Sequence, residues 1–284
     1  MSDYSARRTL SVRVELIRQI RRRRTAVAFA LALALPIIVV LAVKFGPSSD
    51  GSGGGGGFGD GDLDLVGLAT SGAWNFALTM LFFSSGFLLV IIAAMFLGDT
   101  VASEASWSTL RYLLAAPVPR RRLLRVKVTV GLLLTLAVLL VLVVAAFLIG
   151  LVAFGGGTLA SPLGGSLGMG ESSSRLAVIA GYIAITLLVP AGVAFLMSVS
   201  TDVPLGAVGA AVVIVIIANI LDAIEALGSL RRLLPTDYGG AWVDALGPVI
   251  VWDQMAIGVA YNVAVFVVLV GIAVVKFERK DILS

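Results

Sequence analysis

Residues Val126–Phe154 read VKVTVGLLLTLAVLLVLVVAAFLIGLVAF, and Lys127 is their only charged side chain. A helix rises about 1.5 Å per residue, so about 20 apolar residues cross the roughly 30 Å hydrocarbon core of a bilayer. This run exceeds that need, which predicts a span that tilts or extends into water. Working outward, five further blocks share its character: Thr25–Val43, Trp74–Leu97, Leu176–Val199, Leu205–Leu227 and Gln254–Val275. Backbone inside lipid must satisfy its own hydrogen bonds, so such blocks are helices. The expected fold is an all-α integral membrane protein with six transmembrane helices over residues 25–275. Pro36 and Pro190 fall inside spans and predict kinks. Only Ser200–Pro204 separates the fourth and fifth blocks, which predicts a tight antiparallel hairpin.

Composition agrees. Of 284 residues, 59% are hydrophobic and 13% charged, with mean hydropathy +1.05. A soluble domain carries roughly 45–50% apolar and about 25% charged residues. The chain has neither Cys nor His, which excludes thiol nucleophiles, disulfides, His-based triads and His/Cys zinc sites. No catalytic residue, metal site or bound cofactor is expected. The pI near 9.7 does not point to nucleic acid, because the basic residues flank apolar spans instead of forming a soluble patch. The Gly53–Gly57 run lies in the outer loop 44–73 and reads as a flexible linker. It lacks the Gly-Lys-Ser/Thr ending of a phosphate-cradling loop, and that motif occurs nowhere else. The chain is therefore not expected to be an enzyme, and any ATP and Mg would be bound by another polypeptide.

Charge placement sets the topology. All Lys and Arg except Lys44, Arg175, Arg231 and Arg232 fall in residues 1–24, 98–127 and 276–284. Basic residues favour the cytosolic side, so both termini and the 98–125 loop are expected in the cytoplasm, with the protein multi-pass in the cell membrane. Residues 1–24 read as a basic amphipathic helix, with Leu10, Val14, Ile17 and Ile20 toward one face. It either lies in the headgroup interface or is a solvated flank of the first span. The apolar stretch that follows is too long for a signal peptide.

The cytosolic loop between spans two and three is the most informative stretch. Ser108 to Ala115 predicts a short helix with Leu110, Leu113 and Leu114 as its apolar stripe, capped by Ser106 or Ser108 and stopped at Pro117. Such a helix is either a lever gripped by a partner or a surface helix resting on headgroups.

The order Glu104, Thr109-Leu110-Arg111, Leu113-Leu114, Pro117-Val118, Arg120 to Arg122, Leu123-Leu124 and Lys127 resembles the coupling segment of type-2 ABC exporter permeases, in the ABC transporter superfamily. That motif runs approximately Glu-x-x-x-Gly-Thr-Leu-x-x-Leu-Leu-x-x-Pro-Val-x-Arg-x-x-Leu-x-x-x-Lys, with Ser108 here in place of Gly. The basic N-terminal helix, the tail Phe277 to Ile282 and the segment Leu233 to Tyr238 are similar to the same family. The resemblance implies a cytosolic coupling helix docking on a separate ABC ATPase, present in two copies, and a second permease chain, identical or homologous. It assigns coupling to Glu104, Trp107, Thr109, Leu110, Arg111, Leu113, Leu114, Pro117 and Arg120, with Glu104 and Arg111 at the rim of the ATPase groove. It further implies a short re-entrant outer segment within 228–253.

Span two carries Asn75, Thr79, Met80, Phe83, Ser84 and Phe87, a polarizable face suited to a hydrophobic or amphipathic cargo such as a drug, antibiotic or lipid. Span five carries Asn219, with Gly206, Gly209 and Ala210 allowing close helix approach. These positions are expected to line a cavity or dimer seam, or to pack within one subunit. Asp222 and Glu225 read as interface residues or as a proton site. A non-transporting immunity or scaffold protein and a secondary transporter are the competing classes.

Overall fold

The computed structural model describes residues 11–45, 65–106, 119–160 and 166–279. It is helical almost throughout. A basic prelude, α1 (Val12–Ile20), leads into α2 (Arg23–Phe45). After α3 (Leu65–Thr70) come α4 (Ala73–Gly86), α5 (Leu88–Ser106) and the long α6 (Arg120–Phe154). A two-residue ladder follows, Leu159 facing Leu167 and Ala160 facing Ser166. Then come α7 (Met169–Thr186), α8 (Leu188–Ser200) and α9 (Pro204–Asp222). Two short 3-10 helices, Glu225–Leu233 and Ala241–Leu246, precede α10 (Asp253–Arg279).

Six helices are long and apolar enough to cross a membrane: α2, α5, α6, the α7–α8 rod, α9 and α10. This is a multi-pass membrane protein. Its outward surface is rich in Val, Ile and Leu, including Val27, Ile38, Val144, Ile217 and Val267, as a lipid-facing surface requires.

α5 is the central helix. It packs on α8, α9, α6 and α4, and 72% of its most apolar window is buried, against 11% for α9. Gly98 permits this crowding, since a Cβ there would sit 3.2 Å from the Val208 backbone nitrogen of α9. Gly206 and Gly209 do not serve the α5–α9 contact. A Cβ on Gly206 would meet only its own neighbour Val203, and one on Gly209 would meet nothing within 4 Å.

Several boundaries differ from those the apolar pattern suggests. The second block is two helices meeting at Phe87 (φ −139°, ψ −62°) and runs to Ser106, well past Leu97. The side chains of Ser84 and Ser85 donate to the carbonyls of Met80 and Phe82 (2.6 and 2.9 Å), and Gly86 follows them, so three weak helix formers end α4. Pro190 has no N–H to offer the carbonyl of Thr186, and the helix breaks there, at Leu187. Pro36 by contrast leaves α2 unbroken. The fifth block ends at Asp222, not at Leu227.

Candidate functional site: a buried ion cluster and an apolar cavity

α5 carries a different environment at each end. At its C-terminal end lies a cluster of charges inside the protein. α1 is amphipathic, yet its apolar residues Val14, Ile17 and Ile20 are exposed while Glu15 and Gln19 are buried. The helix therefore turns its polar side inward. Its apolar face is turned away from the protein.

The inward Glu15 meets Glu104 of α5 and Lys127 of α6, all three at most 2% exposed. The Lys127 ammonium lies 2.7 Å from Glu104 and 3.9 Å from Glu15, and donates to the Thr100 carbonyl at 2.9 Å. Arg18 bridges both carboxylates, at 2.8 Å to Glu15 and 2.6 Å to Glu104. Gln19 donates to Glu15 (2.9 Å), and Arg24 donates to Gln19 (2.5 Å). Arg22 and Arg24 pair with Asp99 one turn back along α5. Burial raises the Glu15 carboxyl, but Lys127, Arg18 and Gln19 outweigh it and hold it below the usual glutamate value. Burial likewise disfavours the Arg18 charge, and Glu15 and Glu104 more than offset that, so its pKa is raised.

The same stretch of α5 is gripped from a third side. Ser198 of α8 accepts from the backbone N–H groups of both Val101 and Ala102, at 3.0 Å each. α1, α6 and α8 thus converge on one end of α5.

At the other end of α5 a cavity of about 1080 Å³ opens. Phe83, Gly86, Phe87 and Val90 form one wall, at the α4–α5 break, and Leu187 and Pro190 form another, at the α7–α8 break. Non-helical backbone at membrane depth is tolerated where it borders a cavity, and here both interruptions border the same one. Asn219 of α9 and Tyr261 of α10 complete the sides. No charged side chain lines it among the described residues.

The segment between α9 and α10 roofs this space. Trp242 stacks edge-on against Phe82 with centroids 5.9 Å apart. Tyr182 donates to the Tyr238 carbonyl at 2.6 Å, and Tyr261 donates to that of Leu233. Arg175 holds the carbonyls of Ala245 (2.8 Å) and Pro248 (3.2 Å). Gly258 is required beneath Tyr182, because a Cβ would collide with its hydroxyl. Asp222 accepts from Arg231 at 3.4 Å, so its carboxylate serves the same segment.

A family model described as "Protein of unknown function (DUF2705)" matches residues 56–283, which is most of the 284-residue chain. The chain belongs to that family. In this DUF2705 protein the matched stretch contains the cavity, Glu104 and Lys127, whereas α1 precedes it. Comparison with curated proteins gives no match.

The expected site residues of the DUF2705 chain separate into three groups. Phe83, Phe87 and Asn219 come together at the cavity, with Phe83 and Phe87 47% and 59% exposed. Asn75, Thr79, Met80 and Ser84 do not join them. They are buried within the bundle, because α4 is enclosed almost all round and only its last turn emerges. Of the coupling residues, Trp107, Thr109, Leu110, Arg111, Leu113, Leu114 and Pro117 lie outside the described residues. Glu104 is described and faces inward, with its charge engaged by Arg18 and Lys127. Arg120 donates to the carbonyl of Glu278 at 3.0 Å, tying the start of α6 to the end of α10. The first ten residues, residues 46–64 with the glycine run, and the tail beyond Arg279 also lie outside the described residues.

Sequence reasoning did not assign Glu15, Gln19 or Asp99 a place in the site. The available signal was Glu15 and Gln19 at i, i+4 on α1, opposite its apolar face.

Proposed function

We propose that this chain is the transmembrane permease subunit of an ATP-binding cassette exporter, driven by two copies of a separate cytosolic ATPase. A second permease chain would complete the pathway. One observation carries the reading. α5 is a continuous helix of 19 residues, about 28 Å long, with Glu104 near one end and the cavity-lining Val90, just after Phe87, at the other. Residues 107–118 join that helix to α6, and the Glu104–Lys127 pair closes the loop at its base. Work done on the loop therefore reaches the cavity through a helix, α5, already clamped by α1, α6 and α8.

The cargo is an uncharged or amphipathic hydrophobic molecule, because the cavity offers aromatic and aliphatic walls with only Ser, Thr, Asn and Tyr as polar groups. A secondary transporter coupled to protons would place a carboxylate at the binding site; the buried carboxylates of α1 and α5 instead lie in the ion cluster, at the opposite end of α5. α9 supplies the seam for the second permease chain, since Val213, Ile216, Ile217 and Ile220 are exposed and Gly209 faces open space. In this reading the cluster and both termini are cytosolic, the two 3-10 helices form a re-entrant outer segment, and the chain itself catalyses nothing.

The test is affinity purification of the chain co-expressed with the P-loop ATPase encoded nearest to it, compared with a variant lacking Leu110–Leu114. The reading expects the ATPase to co-purify with the intact chain and be lost from the deletion. A deletion variant that retains the ATPase in full, or an intact chain that captures none, contradicts it.

A further inference from the structure

A second cavity, about 730 Å³, lies between α8 and α10 at the end of the bundle that carries α1. Its floor is an aliphatic stripe on one face of α10, Val268, Ile272 and Val275, at helical spacings of four and three. The stripe ends in two cations, Lys276 and Arg279, both exposed. The Lys276 ammonium donates to Ser200 of α8 at 2.8 Å, which leaves two of its three hydrogens available. Among the described residues neither cation is ion-paired with a carboxylate. The neighbouring Glu278 is engaged by Arg121 at 2.5 Å.

We propose that this groove is a binding site for an anionic phospholipid, with its phosphate at Lys276 and Arg279 and an acyl chain along Val268, Ile272 and Val275. Two features select a lipid over a free anion. From Val268 to Arg279 the helix rises about 16 Å, about half the hydrocarbon thickness of a bilayer, so stripe and cations together span about one leaflet and the cations fall at headgroup level. The walls below the cations are hydrocarbon, which offers a soluble phosphate nothing and an acyl chain a continuous contact. Basic pockets between membrane helices bind acidic headgroups by this combination. The first cavity reaches the same helix at Val265 and Leu269, but the proposal is independent of whether the chain transports anything.

Gly271 gives a clean test of the groove itself. It lines the cavity, and a Cβ there meets nothing within 4 Å, so Gly271→Leu fills the space without disturbing the backbone. The full chain is placed in nanodiscs of phosphatidylcholine doped with phosphatidylglycerol, and retained lipid is counted by native mass spectrometry after stepwise delipidation. The wild type should retain phosphatidylglycerol about tenfold over phosphatidylcholine. K276Q/R279Q should abolish that preference, K276R should preserve it, and Gly271→Leu should reduce it with both charges intact. Inorganic phosphate should not displace the lipid. Retention unchanged in K276Q/R279Q overturns the site. Retention unchanged in Gly271→Leu means attraction to surface charge alone and overturns the groove. Displacement by inorganic phosphate overturns the lipid as occupant.

Discussion

The two ends of α5 solve opposite problems. At Glu104 the helix end is packed with charge, Arg18 and Lys127 engage its carboxylate, and three other helices hold it. At Val90 and the adjoining Phe87 the surroundings are uncharged and open, and the chain tolerates two helix breaks to make room. A buried charge gains nothing unless its partner stays in place, and losing one partner strands the other at a cost of about 3–5 kcal/mol. An apolar cavity carries no such obligation. Rigidity and plasticity are thus separated along a single helix.

Removing one partner from the rigid end breaks this contrast most sharply. Lys127→Ala should lower stability by about 3–5 kcal/mol, read as a large fall in the detergent-solubilised melting temperature. Glu104→Leu combined with Lys127→Met should recover most of that loss. A single-substitution loss under about 1 kcal/mol would mean the cluster is not a structural tie.

The roof of the cavity stands next. Gly258→Ala drives a methyl group into the Tyr182 hydroxyl and should cost about 1–3 kcal/mol by overpacking. Hydrogen exchange should accelerate around Tyr238, whose carbonyl loses its donor.

A smaller effect follows from acidification. The Glu15 pKa is depressed in the folded state from its ordinary 4.5, so its stabilising contribution is complete above that value and is lost as pH falls through the lower folded value. Exchange protection of α1 should therefore hold at pH 6 and decline below about pH 4.5, and Glu15→Gln should remove the transition.

The smallest effect on stability belongs to the plastic end. Phe87→Ala removes a side chain already 59% exposed and should shift stability by less than about 0.5 kcal/mol. In the proposed exporter it should nonetheless change cargo-stimulated ATP hydrolysis by the chain reconstituted with its ATPase. A drop in melting temperature as large as that of Lys127→Ala would erase the distinction between the two ends.

Much of this arrangement is legible in the chain itself. Six apolar blocks announce six membrane helices because length and hydropathy alone decide that matter. The missing N–H of Pro190 announces an interruption there, although Pro36 lacks the same donor and leaves α2 unbroken. The break at Phe87 is not, because Ser84-Ser85-Gly86 weakens a helix without forbidding it. Asn75 and Thr79 look like cavity residues on a helical wheel. Their burial follows from how completely α4 is enclosed, which is a property of its neighbours. Glu104 and Lys127 stand out at the two ends of the loop, but nothing local says that they meet each other and Glu15. That meeting depends on α1 folding back with its polar side inward, and Val14 and Ile17 disguise it as a helix that merely floats on lipid.

In the proposed exporter, α5 carries work from its clamped end to the cavity. The measurement is ATP hydrolysis by the reconstituted complex, with and without a transported hydrophobic compound, for the wild type and for Glu104→Leu/Lys127→Met. The double variant should keep its ATPase bound and its basal hydrolysis, while stimulation by the compound collapses. Stimulation equal to the wild type, with the ion pair gone, would contradict it.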